Sequence, residues 1–157
     1  IVELSHGEEI SLELFISEKR FEEIKAKFSI PEKGDILISA VGTIGVSWVV
    51  SDDRKFYFKD GNLLWLKHFK NVKTEFIKLM LDIAVLDNLH QLTNGAAYNA
   101  LTIIKLKDLE IPLPPLAIQK QIVEKIEAER ALVESAKKLI EIYEQKTKET
   151  IAKRWEG

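Results

Sequence analysis

Three prolines, Pro112, Pro114 and Pro115, stand at the head of a charged, helically patterned run that continues to the end of the chain. Pro115 is tolerated in a first helical turn, where its missing N–H has no intrahelical partner to lose, and the fixed φ at Pro112 and Pro114 sets the direction of entry. Ile111 and Leu113 each precede a proline and are pushed toward extended geometry. Beyond the prolines, Ile122, Ile126, Val133, Ala136, Ile140 and Tyr143 fall close to a heptad seam, which Leu132 and Leu139 widen. The remaining positions are mostly Glu, Lys, Arg and Gln. About forty residues rising about 1.5 Å each make a rod of about 60 Å, longer than a small domain is wide. Its own domain cannot cover such a seam, so the pattern requires a second helix, from another chain or from another part of a larger one. Trp155, near the far end of the rod, needs an apolar neighbour for the same reason.

The 157 residues suffice for one compact domain plus this extended element. An apolar fraction of 46% and a charged fraction of 31% describe a globular protein. No apolar run approaches the roughly 20 residues of a membrane span. The absence of cysteine excludes disulfides and thiolate metal sites and fits a reducing cytoplasm. His6, His68 and His90 lie too far apart for a local ligand motif, so no metal site is expected. A formal charge of -2 weighs against nucleic-acid binding. Its acids, however, gather before Gly34, and such clustering leaves room for a basic surface elsewhere.

In the head, Ser17 is a suitable N-cap for a short amphipathic helix in which Phe21, Ile24 and Phe28 share one face, and Pro31 stops it. The stretch KGDILISAVGTIGVSWVV then reads as strand, glycine turn, strand, with Ile36 and Ile38 alternating against Leu37 and Ser39. Val46, Trp48 and Val50 line one side of the second strand. KFYF and NLLWLKHF are two further strands across the turn at Asp60, Gly61 and Asn62. A second helix is expected over about Val72 to Leu89, with Phe76, Leu79, Met80, Ile83 and Leu86 facing the sheet. Asn94-Gly95 then makes a turn, and ALTII has the composition of a strand. The fold class is α+β: a small, mixed, sheet-rich head with packed helices over 1–114, followed by a coiled-coil-type helix over 115–157.

Two loops have the residue types that contact DNA. Ser39 to Gly45 combines hydroxyls on Ser39 and Thr43 with glycines, Gly42 among them, that let backbone approach a ligand. Thr93 to Thr102 contains Asn94, Tyr98 and Asn99; Asn pairs bidentately with adenine, and a tyrosine packs on sugar or donates to phosphate. The competing role for Gly42, Gly45, Asn94 and Gly95 is plain turn building. Arg54, Lys55 and Lys59 sit where a hairpin could meet phosphate, though lone surface cations are commonly just solvated. No catalytic constellation is present: GTIG lacks the lysine of a phosphate loop, and neither His68 nor His90 has a Ser, Cys or paired carboxylate at a telling spacing. The aromatic residues Trp48, Trp65, Phe56, Tyr57 and Phe58 are expected to build core.

The block FISEKRFEEIKAKFSIPEKGDILISAVGTIG, followed much later by NGAAYNALTIIKLKDLEIPLPPLAIQKQIVEKIEA, resembles the specificity subunit of type I restriction-modification systems. Gly34, Asp35, Gly42, Thr43 and Gly45 match the first block of that family, and Pro112, Pro114, Pro115, Gln119 and Ile122 the second. The resemblance implies a target recognition domain that reads one half of a split site in double-stranded DNA, then a spacer helix that packs antiparallel on a second one. Family members usually hold two recognition domains and begin each with further strands, so the chain corresponds to one N-terminally truncated half. Its partners are then a second recognition half or a second copy, joined through Ile122, Ile126, Val133, Ala136, Ile140 and Tyr143, together with a methyltransferase (M) subunit and a restriction (R) subunit. S-adenosylmethionine belongs to the methyltransferase, and the chain itself needs no cofactor and is no enzyme. Half-sites two turns of DNA apart are separated by about 70 Å, a span suited to stiff helices. The residue pattern also fits a non-catalytic coiled-coil adaptor whose head binds protein.

Overall fold

The computed structural model describes residues 16–58, 61–88 and 100–155. The chain divides into two compact units, Ile1–Gln119 and Lys120–Gly157. In chain order the elements are helix α1 (Glu18–Lys27), strands β1 (Ile36–Ser39), β2 (Ser47–Val49) and β3 (Leu63–Leu66), helix α2 (Thr74–Asp87), the short helix α3 (Ile103–Lys107) and helix α4 (Leu116–Trp155). The architecture is α+β, with a small sheet, several helices and a long C-terminal helix of 40 residues.

Helix α1 starts where its capping chemistry requires. The Ser17 hydroxyl accepts a hydrogen bond from the Arg20 amide at 3.3 Å, while Glu18 in the first turn and Lys25 and Lys27 in the last oppose the helix dipole. Phe21 is buried and Ile24 half-buried, but Phe28 takes an extended C-cap conformation and stands exposed. Its place on the expected apolar face is lost because the helix ends one residue before it.

The sheet has the order β2-β1-β3, and both pairings are antiparallel. Leu37 of the central strand lies opposite Trp48 on one side and Trp65 on the other, so these three share a face. Phe56 meets Trp48 edge-on at 5.6 Å and Phe58 meets Trp65 at 6.0 Å, giving this face an aromatic covering. The segment KFYF thus serves as a half-buried aromatic layer and carries no strand ladder of its own. On the opposite face, Ile38 and Ala40 pack with Val85 of α2 and with Leu101, joined by Leu64 and Leu66. Covered on both sides, all four residues of β1 are buried, and the expected alternation of exposed and buried positions disappears.

Helix α2 is shorter than the expected span and rotated about its axis. Its buried residues are Phe76, Ile77, Leu81 and Val85, whereas Ile83 and Leu86 of the expected stripe face outward. Two sheet contacts account for the rotation. The Ser47 hydroxyl donates to Asp82, whose other oxygen accepts from Lys78 Nζ at 2.7 Å, and Gly45 abuts Val85. A half-buried polar anchor and a close backbone approach have outweighed the apolar count along the helix.

The ALTII segment is not a strand. Leu101 inserts into the core, Thr102 caps a helix by accepting from the Lys105 amide at 3.3 Å, and α3 follows at once. A hydroxyl placed to satisfy a free amide outweighs the β preference of two adjacent isoleucines.

Gly42 (φ 75°) and Gly45 (φ 89°) both adopt left-handed backbone conformations, but their surroundings differ. A methyl group on Gly45 would lie 2.7 Å from Val85 Cγ1, whereas one on Gly42 would meet nothing within 4 Å. Gly42→Ala should therefore cost about 1 kcal/mol from backbone strain alone. Gly45→Ala adds overpacking and should cost about 3 kcal/mol or more. Urea unfolding midpoints of the two variants measure the difference, and equal losses would remove the packing role assigned to Gly45.

Candidate nucleic-acid interface

The loop over 40–46 leaves the buried end of β1 and returns into β2. Ser39 holds it closed: its hydroxyl donates to the Thr43 carbonyl and accepts from the Val46 amide at 2.9 Å. The Ser39 backbone adds an amide bond to the Val46 carbonyl and accepts from the Gly45 amide, each at 2.9 Å. Val41, Gly42 and Thr43 are left at an exposed tip. The tip is held by hydrogen bonds at its base, carries a hydroxyl, and has a glycine around which open space allows another surface to approach the backbone. Such a tip suits a phosphate oxygen or a base edge.

Ala40, at the base of this loop, joins two other segments. Its amide donates to the Asn62 carbonyl at 2.6 Å, and its carbonyl accepts from the Leu101 amide at 2.8 Å. Leu101 belongs to the second stretch singled out by sequence, 93–102, so the described end of that stretch is bonded to the base of the first loop. Asn94, Tyr98 and Asn99 of that stretch lie outside the described residues. Neither Ala40 nor Leu101 carries a polar side chain to mark it as part of a site. The one trace in the sequence is that Ala40 continues the Ile36, Ile38 alternation past the strand end.

Arg54 and Lys55 follow β2 on an exposed stretch. Arg54 donates through Nε and Nη2 to the same Asp52 oxygen at 2.9 and 2.7 Å, and its amide donates to the other at 3.0 Å. These side-chain hydrogen bonds hold the Asp52 carboxyl below its ordinary range and Arg54 above its own. Arg54 therefore offers a largely neutralised pair to its surroundings. Lys55 stands 3.9 Å from Glu18 with both groups exposed, an arrangement that contributes little to stability.

The motif residues of the head have structural duties. Gly34 (φ 93°) turns the chain into β1. Asp35 is buried and accepts from the Glu32 amide at 2.9 Å and from Trp65 Nε1 at 2.8 Å, which orients the indole on the aromatic face. Gln119 is likewise buried, with a hydrogen bond at each of its two side-chain polar atoms.

Along α4, Val133, Ala136, Ile140 and Tyr143 are exposed, Ile122 is marginally so, and Ile126 is half-buried. Leu132, Leu139, Ile142, Ile151 and Trp155 add to the exposed apolar surface of this helix, with Trp155 at 85%. Among the described residues no group of His, Asp and Glu is arranged to hold a metal, and no helix is long and apolar enough to cross a membrane.

Residues 7–144 match the type I restriction modification DNA specificity domain, and the chain belongs to that family. It is also similar to a Haemophilus influenzae protein described as a type I restriction enzyme specificity subunit, with 37% identity over 110 residues. That alignment takes in 69% of this chain but 27% of the relative's length.

The inward role of Ser39 has a stability signature. Ser39→Ala leaves the Val46 amide without its side-chain acceptor and should cost about 2 kcal/mol. Thr43→Ala, at the exposed tip, should change stability by less than about 0.5 kcal/mol. Denaturant titration of both variants distinguishes the residue that holds the loop from the residue the loop presents.

Proposed function

We propose that this chain is one recognition half of a type I specificity subunit, a non-catalytic reader that directs a methyltransferase subunit and a restriction subunit to a bipartite DNA site. The observation that carries the reading is the bond between the two stretches at Ala40. The Ala40 carbonyl at the base of the glycine-tipped loop accepts from the Leu101 amide, and Leu101 follows a stretch whose sequence is rich in amide side chains. Gly42 and Thr43 meet DNA directly, and Ser39 contributes by holding the loop in shape. Asn94, Tyr98 and Asn99 supply base and backbone contacts from the second stretch singled out by sequence. Arg54 and Lys55 meet phosphate, with the planar Arg54 guanidinium exchanging the Asp52 carboxylate for phosphate oxygens, one anionic acceptor for another.

In this reading residues 1–114 read sequence and residues 115–157 form the spacer. The exposed seam of α4 packs against a second such helix, from a second recognition half or a second copy of this chain, because unpartnered apolar surface of this extent drives association. S-adenosylmethionine is held by the methyltransferase subunit, and the complex works in the cytoplasm, where its DNA is.

The test is a genome-wide adenine methylation map from cells carrying the intact subunit and its methyltransferase, before and after residues 1–111 are exchanged for a related recognition domain. One half of the methylated motif should change while the gap between halves stays the same. An unchanged motif would show that the head binds something other than DNA, and a protein-binding adaptor would replace this reading.

A surface variant separates assembly from recognition. Ile140 is 58% exposed, so Ile140→Asp should leave the fold intact while weakening helix pairing by tenfold or more, read by analytical ultracentrifugation of the purified subunit. Undiminished association would place the partner surface elsewhere.

A further inference from the structure

Gln119 is 1% exposed, the most deeply buried polar residue among those described. Burying a long amide side chain sacrifices about 1.5–2 kcal/mol of rotamer freedom and its hydration, so its position calls for a physical reason. Its two polar atoms are both used. Oε1 accepts from the Lys73 amide at 2.9 Å, and Nε2 donates to the Pro114 carbonyl at 2.8 Å.

Each partner is a junction. Lys73 is the N-cap residue of α2 and makes no side-chain cap of its own, so the Gln119 amide lies at that helix terminus. Pro114 closes the proline segment just before α4. Its neighbour Pro115 accepts the first helical bonds, from Ile118 and Gln119, leaving the Pro114 carbonyl to the Gln119 side chain. One side chain therefore ties together the proline segment, the first turn of α4 and the start of α2. Helix α2 is in turn bound to the loop over 40–46 through Val85 against Gly45, and to the first residue of β2 through Asp82 with Ser47. The connection from Gly45 to Gln119 runs through packed or hydrogen-bonded groups at each step.

We propose that Gln119 is a positioning residue that makes the half-site spacing strict, by locking the first turn of the spacer helix through two directional hydrogen bonds. The inference rests on the DNA-recognition reading above. A hydrophobic residue would fill the same volume, but dispersion has no preferred direction, whereas an amide bonded at both ends constrains rotation. The lever is long. A swivel of about 10° at the start of a 60 Å helix displaces its far end by about 10 Å, or about three base-pair steps of about 3.4 Å.

The experiment maps adenine methylation in cells carrying the methyltransferase and the intact subunit with Gln119, Gln119→Met or Gln119→Glu. Met keeps the volume and removes both hydrogen bonds. Glu keeps the acceptor toward Lys73 and loses the donor to Pro114. With Gln119 in place, one gap length should be methylated. In Gln119→Met both half-site sequences should persist, methylation at the native gap should fall about tenfold, and sites with gaps one or two base pairs longer or shorter should appear. Gln119→Glu sets an acceptor against the Pro114 carbonyl and should show at least the same loss of strict spacing, and it carries the test by the same criteria if Gln119→Met fails to accumulate. A single gap with full methylation in the variant overturns the inference, as does a change in half-site sequence. Absence of any bipartite motif with Gln119 in place defeats the DNA reading itself, and the inference with it, and is visible before any variant is compared.

Discussion

The head is organised around a four-residue strand that has no exposed side. Strand β1 pairs with β2 and β3, an aromatic layer covers Leu37, and α2 with Leu101 covers Ile38 and Ala40. Burial on both faces leaves the strand no freedom of register, because a shift of one residue would exchange the aromatic face for the helix face. The loop that follows therefore starts from a fixed point. Loops anchored on rigid scaffolds in this way are the usual carriers of binding residues.

Polar groups are placed to hold this arrangement and are satisfied where they are buried. Asp35 orients Trp65 and closes the turn into β1; Ser39 shapes the loop; Ser47 and Asp82 set the rotation of α2; Gln119 ties the start of α4. Among the described residues no buried side-chain nitrogen or oxygen lacks a partner. These hydrogen bonds supply direction that apolar packing lacks, and several lie at family-motif positions. Gly34, Asp35, Gly45 and Gln119, which match the family's two blocks in the sequence, all have structural duties in the head.

Helix α4 obeys a different constraint. Its first turn belongs to the unit that ends at Gln119, while the rest exposes Leu132, Val133, Leu139, Ile140 and Tyr143. An isolated helix of this composition gains little from burial within its own chain, because most hydrophobic stabilisation of helices comes from tertiary packing. The apolar seam is informative because it is left bare, in contrast to the fully covered strand of the head.

Several features are determined by local chemistry and were legible in the sequence: the Ser17 cap, the glycine turn between β1 and β2, the proline entry and the length of α4. Each is written in one contiguous stretch of the sequence, so the chain states them directly. The family resemblance was legible for the same reason, through two ordered blocks. Tertiary contacts decided the rest. Burial of β1 on both faces, rotation of α2 toward Leu81 and Val85, conversion of ALTII into a core plug and capped helix, and the inward turn of the Ser39 hydroxyl all depend on partners distant in sequence. Periodicity reports the average polarity of a face; it does not report which single hydrogen bond or close approach will orient it. The bond between the two stretches at Ala40 is of this kind, since a backbone bond to Leu101 leaves no mark on side-chain identity.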